Sequence, residues 1–141
     1  MAWYADESPI DFSGDLVRAD LRAIGWLERG KPYAQGEVAR AFYEKLREIA
    51  RSPWQPAVAG GTHVCDLCQF EPEARDGNNL FIPNGKVIFV APVLVVHYIN
   101  AHRYAPPEVF RDAVMACPET RSMEYKRLLL ASGWRGVPSN R

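Results

Sequence analysis

"GTHVCDLCQF", residues 61–70, places Cys65 and Cys68 three positions apart, with His63 two positions before the first cysteine. A C-x2-C turn of this kind lets both thiolates converge on one cation. Zinc prefers four ligands in a tetrahedron, with sulfur at about 2.3 Å and imidazole nitrogen at about 2.0 Å. Two cysteines therefore require two further ligands from elsewhere in the chain to close such a site.

The segment "HYINAHRY", residues 97–104, supplies two candidates, His97 and His102. Four residues separate them, which lies within the H-x3–5-H spacing of structural zinc sites. A step of five residues turns an α-helix by about 140°, so the two imidazoles do not share one face of a regular helix. Pro106 and Pro107 end the helix soon after His102, and a last turn that tightens or frays could bring both rings to one ion.

His63 and Cys117 are alternative ligands. His63 could be the fourth ligand, or it could donate a hydrogen bond to a cysteine sulfur. Cys117 precedes Pro118 and is expected to be a buried residue at a helix end, although it could also complete the shell. The sequence leaves open whether either residue replaces one of the two histidines.

The remaining segments predict about four helices and a small sheet. Residues 37–50 repeat apolar side chains every three or four positions, which predicts an amphipathic helix. Residues 16–28 favour at least one strand, and Asn84-Gly85 between two short apolar runs predicts a β-hairpin. Proline positions and apolar spacing predict further helices over 92–104, 106–116 and 120–132.

Apolar spacing also predicts which side chains of the last two helices face the core. In the 106–116 helix these are Val109, Phe110, Ala113 and Val114. In the 120–132 helix they are Met123, Leu128 and Leu129, with Thr120 or Ser122 as the N-cap. Residues 1–15 are expected to form an irregular acidic arm.

The bulk composition excludes some classes of function. The 141 residues carry 17 basic and 17 acidic side chains, so the formal net charge is zero. That balance argues against nucleic-acid binding as the main function, because phosphate contacts require an excess of lysine and arginine. With 48% apolar and 24% charged residues, the composition predicts one globular domain over residues 1–141.

The sequence also carries an expectation about location. The acidic N-terminal segment lacks the basic start and apolar run of a signal peptide. The most apolar stretch, residues 86–99, is interrupted by Pro92 and is too short to span a bilayer. We therefore expect a cytoplasmic protein whose three cysteines remain thiols, as in a reducing compartment.

Residues 60–105 contain a characteristic order of elements: the turn "CDLC", the hairpin "LFIPNGKVIF", and the helix "PVLVVHYINAH". This order resembles zinc modules of the treble-clef and Cys2His2 kinds. The resemblance implies a structural zinc ion bound by Cys65, Cys68, His97 and His102. Two features depart from the pattern: 28 residues separate Cys68 from His97, and the histidines lie late in the helix rather than in its first turn.

Other cysteine and histidine chemistries fit the sequence less well. A thioredoxin-like redox pair needs its C-x2-C at a helix N-terminus, whereas the polar segment "QFEPEARDGNN" follows Cys68. A zinc deaminase would show H-x-E and P-C-x-x-C, and a metalloprotease H-E-x-x-H, and the sequence contains none of these. An open zinc site with three protein ligands and a water is the remaining catalytic alternative.

Together these patterns predict an α+β fold, with a small β-hairpin or sheet and about four helices around a zinc knuckle. The expected function is that of a small zinc-binding protein with a structural metal site, a non-enzymatic interaction or adaptor protein whose protein partner the sequence does not name. A small zinc-dependent hydrolase with an open metal site is one alternative. A C-x2-C redox protein is the other.

Overall fold

A computed structural model describes residues 3–10, 19–54, 62–70 and 74–134 of the chain. Its larger sheet has three strands in the order β1-β5-β4, which are β1 (Asp20–Ala23), β4 (Asn79–Asn84) and β5 (Val87–Pro92). Strand β1 runs parallel to β5, whereas β4 is antiparallel to β5. A second, antiparallel sheet pairs β2 (His63–Val64) with β3 (Arg75–Asp76).

Four helices lie in the described part of the chain: α1 (Arg40–Arg51), α2 (Val95–His102), α3 (Glu108–Ala116) and α4 (Met123–Ala131). With the two small sheets they make an α+β fold, which confirms the predicted fold class. None of these helices combines the length and the apolar character that crossing a membrane requires.

The hairpin between β4 and β5 lies where the sequence predicts it, but its turn is shifted by one residue. Asn84 is the last residue of β4 and pairs with Val87, so the two-residue loop is Gly85-Lys86. Gly85 has a φ of 65°, and a positive φ at the first loop position is what a type II′ turn requires. The turn that suits the twist of the flanking strands therefore requires glycine at the first loop position rather than at the second.

Pro92 ends a strand and does not begin α2, which corrects the predicted helix over 92–104. It is the last residue of β5, paired with Asn79, and α2 begins three residues later at Val95. Proline is tolerated at the end of a strand because its missing N–H removes only a terminal ladder bond. Pairing within the buried sheet here outweighs the preference of proline for the first turn of a helix.

The inward faces of the last two helices differ in part from the predicted ones. In α3, Phe110 and Val114 are buried as predicted, whereas Val109 is 39% exposed. In α4 the inward residues are Tyr125 and Leu129, four positions apart on one face; the predicted Met123 and Leu128 are exposed. The Tyr125 hydroxyl donates to the Phe81 carbonyl on β4 at 2.5 Å, which fixes the rotation of this helix.

Both capping and the N-terminal arm follow the expectations more closely. The Ser122 hydroxyl accepts a hydrogen bond from the Tyr125 backbone N–H at 3.1 Å and is the N-cap of α4. Residues 3–10 are irregular but packed, because the Asp6 carboxylate accepts from the Gly25 N–H at 3.0 Å and from the Tyr104 hydroxyl at 2.7 Å. The rest of the predicted acidic arm, residues 11–15 and 1–2, lies outside the described residues.

Candidate metal centre

The four predicted ligands meet in space. Cys65 follows β2 directly and Cys68 lies one turn later, whereas His97 and His102 both lie on α2. The Cys68 Sγ is 3.3 Å from the Nε2 of His97 and 3.8 Å from the Nε2 of His102. The Cys65 Sγ is 3.5 Å from the same His102 nitrogen. The four ligand atoms lie within 4.8 Å of one another, so this group can hold a metal ion.

The spacing of these atoms fits a tetrahedral site. For sulfur at about 2.3 Å and nitrogen at about 2.0 Å from one ion, a sulfur–nitrogen edge of the tetrahedron is about 3.5 Å long. Three of the four sulfur–nitrogen distances in this group are 3.3, 3.5 and 3.8 Å, and they bracket that length. The group is therefore compact enough for its four ligand atoms to share one metal ion.

The C-terminal turn of α2 explains how two histidines five residues apart converge. Helix α2 ends at His102, and Arg103 is left-handed, with a φ of 58°. The Arg103 N–H reaches back five residues to the Tyr98 carbonyl, so the last turn is wider than a regular α-helical turn. A wider turn rotates less per residue, which reduces the angle between the two imidazoles, and their ring centroids lie 5.0 Å apart. The expected tightening is thus replaced by a widening.

An extended segment, residues 33–36, holds this helix end in place. The Tyr33 hydroxyl donates to the His102 carbonyl at 2.9 Å, which satisfies an acceptor that the end of the helix leaves free. The Gly36 N–H donates to the Arg103 carbonyl at 3.0 Å, and the Ala105 N–H donates to the Ala34 carbonyl at 3.0 Å. The backbone that carries His102 is therefore fixed from outside the helix.

The protonation states of the ligands also suit a metal. Burial lowers the pKa of both His97 and His102, and the neighbouring His102 charge lowers that of His97 further. Both imidazoles are consequently neutral near pH 7, with a lone pair for a cation. Burial raises the pKa of Cys65 to about 11, against hydrogen bonds from the Leu67 and Cys68 backbone. A bound cation would stabilise the thiolate and release this proton.

His63 and Cys117 lie outside the group of four. The His63 Nε2 is 3.2 Å from the Tyr98 hydroxyl, and its ring packs edge-on against Trp26. Neither of these contacts is the hydrogen bond to a cysteine sulfur that the sequence suggested for His63. Cys117 is buried at the C-cap of α3, and its thiol donates to the Pro118 carbonyl at 3.3 Å. It is thus the buried helix-end residue that the sequence predicts.

Arg29 is a contact of the C-x2-C turn that sequence reasoning missed. Its backbone N–H donates to the Asp66 carboxylate at 2.9 Å, and its guanidinium donates to the Asp66 carbonyl at 2.7 Å. Arg29 is 37 residues away from Asp66 in the chain, and a single arginine before a glycine carries no signal of such a contact.

A family model described as "Domain of unknown function (DUF7919)" matches residues 2–115. The chain belongs to this family. The DUF7919 region contains all four members of the cysteine and histidine group and ends one residue short of the end of α3, so α4 lies beyond it. No curated protein and no solved structure matches the chain.

Proposed function

We propose that this protein is a small zinc-binding protein with a structural metal site, and that it acts as a non-enzymatic interaction or adaptor protein. The ligands would be Cys65, Cys68, His97 and His102. The observation that carries the proposal is the mutual distance of their ligand atoms, all within 4.8 Å although they come from two distant segments.

The donor set favours zinc among the common metals. Thiolate and imidazole ligands in a tetrahedral arrangement are typical of zinc, whereas magnesium and calcium prefer six or more oxygen ligands. The order of elements supports the same assignment, because a C-x2-C turn, a hairpin and a helix follow one another as in the treble-clef and Cys2His2 modules that residues 60–105 resemble.

A structural role suits the number of ligands better than a catalytic one. Four protein ligands fill a tetrahedral shell, whereas catalytic zinc sites keep one position for water or substrate. The ion would join the C-x2-C turn to the end of α2 and so close the chain between Cys68 and His97. That closure would stabilise a surface for a protein partner.

Redox chemistry receives less support from the same geometry. Reactive C-x2-C pairs lie at a helix N-terminus, where the helix dipole lowers the pKa of the thiol. Here Cys65 and Cys68 flank a turn that follows a two-residue strand, and burial raises the pKa of Cys65.

Elemental analysis of the purified protein tests the proposal. We expect about one zinc per chain in the wild type. Cys68→Ser should lose the metal, whereas the matched change Cys117→Ser, at a buried thiol outside the group, should keep it. Full zinc content in Cys68→Ser would show that the ligand set is wrong.

A further inference from the structure

Arg29 contacts the C-x2-C turn through three hydrogen bonds. Its N–H donates to the Asp66 carboxylate at 2.9 Å. Its Nε donates to the Asp66 carbonyl at 2.7 Å, and its Nη2 donates to the Cys68 carbonyl at 3.1 Å. One guanidinium therefore contacts both carbonyls, while the Asp66 carboxylate accepts a hydrogen bond from the backbone of Arg29.

The Asp66 carbonyl belongs to the same peptide group as the Leu67 N–H. The Cys68 carbonyl, which the guanidinium also contacts, lies two residues further along the same turn. Hydrogen bonds from a charged donor are stronger than those between neutral groups. Arg29 therefore fixes the backbone on both sides of Leu67, between the two cysteines and at the second of them.

The position of Arg29 is itself fixed by the fold. The Lys31 N–H donates to the Glu28 carbonyl at 3.1 Å, and Gly30 has a φ of 90°, the pattern of a type II turn with glycine third. Just before this turn, the Trp26 indole N–H donates to the Val90 carbonyl on β5 at 2.9 Å. The backbone on both sides of Arg29 is therefore held, by the turn and by the contact of Trp26 with β5.

We propose that Arg29 is a positioning residue of the metal centre, which fixes the backbone of the C-x2-C turn at Asp66 and Cys68 and thereby holds Cys65 and Cys68 ready for the ion. This inference rests on the proposed function. The three hydrogen bonds of Arg29 go to Asp66 and to the backbone of Cys68, and its role is to orient the turn that carries both sulfurs.

The geometry of the guanidinium, rather than its charge alone, carries this role. The contacts lie in an exposed region, where solvent screens simple charge attraction to a small value. A guanidinium presents several donors in one plane and can reach two carbonyls at once, whereas a lysine ammonium is a point charge on a flexible stem. Arg29→Lys is therefore expected not to restore the function of Arg29.

The test compares zinc affinity in the full-length wild type, Arg29→Gln, Arg29→Lys and Arg47→Gln, by competition with a chromophoric zinc chelator. Arg47 is exposed on α1 and controls for the loss of one positive charge. We expect Arg29→Gln and Arg29→Lys to weaken zinc binding by about 10- to 100-fold, the usual cost of removing an outer contact of a metal site. Arg47→Gln should bind like the wild type.

A spectroscopic measurement separates positioning from a general loss of stability. In cobalt-loaded protein, the thiolate-to-cobalt charge-transfer band should change in energy or intensity in Arg29→Gln, because the turn no longer holds the two thiolates in the same orientation to the ion. Arg47→Gln should leave the band unchanged. If Arg29→Gln does not fold, Asp66→Ala is measured in its place. This variant removes the hydrogen bond between the Asp66 carboxylate and the Arg29 N–H, and it should also weaken zinc binding.

The outcomes distinguish this inference from the function on which it rests. Zinc-loaded wild type with unchanged affinity and spectrum in Arg29→Gln, or in Asp66→Ala if that variant is used, overturns only the role of Arg29. Full rescue by Arg29→Lys also overturns it. A wild type that binds no zinc overturns both.

Discussion

The Sγ of Cys68 lies 3.3 Å from the Nε2 of His97, although 29 positions separate the two residues in the sequence. Strands β3, β4 and β5 make up half of that interval, and they return the chain so that the start of α2 faces the C-x2-C turn. Bringing such distant groups together costs loop-closure entropy, which a shared metal ion would offset.

Separate replacements of His102 and His63 distinguish the proposed ligand, His102, from His63, which packs beside the group. His102→Ala is expected to lose zinc and to lower the melting temperature by about 5–10 °C, as the loss of a bound ligand worth a few kcal/mol would. His63→Phe keeps a ring against Trp26 and should retain one zinc per chain. Elemental analysis measures the zinc content of both variants, and thermal unfolding measures their melting temperatures. If His63→Phe lost zinc and His102→Ala kept it, the ligand would be His63 rather than His102.

Acid unfolding should depend on the metal. Burial lowers the pKa of His63, His97 and His102 below the ordinary value of 6.5, so the unfolded chain binds protons first as the pH falls. Stability from these groups is therefore present above about pH 6.5 and is lost below it. Bound zinc would keep two of the imidazoles unprotonated, so the zinc-loaded protein should unfold at a lower pH than the metal-free protein in circular dichroism. Equal midpoints would contradict metal binding by the histidines.

The alkaline limit of stability should involve Cys117. Burial raises the pKa of this thiol from 9.0 to about 11, with Lys45 acting weakly in the opposite direction. The folded state thus holds the proton more tightly, and its stability is complete below pH 9 and falls as the pH rises toward 11. Cys117→Ala should flatten this decline between pH 9 and 10 in urea unfolding. A decline as steep as that of the wild type would exclude the thiol as its source.

The contact between α4 and the sheet edge can be measured through one hydroxyl. Tyr125→Phe removes the hydrogen bond to the Phe81 carbonyl, and the expected loss in the free energy of unfolding is about 1 kcal/mol. Tyr43→Phe, at a half-buried tyrosine on α1, is the matched control and should change stability by less. Denaturant titration checks both variants; an unchanged Tyr125→Phe would mean that apolar packing alone holds α4.

The cluster of two cysteines and two histidines was predictable because its signals are local and of few kinds. The C-x2-C spacing lies within ten residues, and the chain has only three histidines from which to complete a shell. The amphipathic period of α1 and the glycine of the hairpin turn likewise depend only on residues that are close in sequence. Such features require no knowledge of which segments meet.

Features set by long-range contacts were not predictable in the same way. Pro92 ends β5 because it pairs with Asn79. The orientation of α4 depends on the hydrogen bond from the Tyr125 hydroxyl to the Phe81 carbonyl. The wide last turn of α2 depends on residues 33–36, which fix its end from outside. The contact of Arg29 depends on the turn at residues 28–31 and on a partner, Asp66, that lies 37 positions further along the chain.

X-ray absorption at the zinc edge of the purified protein tests the central claim most directly, because it counts the atoms around the ion. We expect two sulfur neighbours at about 2.3 Å and two nitrogen neighbours at about 2.0 Å. A shell with an oxygen in place of one of these ligands, or a protein without zinc in which Cys65 and Cys68 form a disulfide, would contradict the structural site.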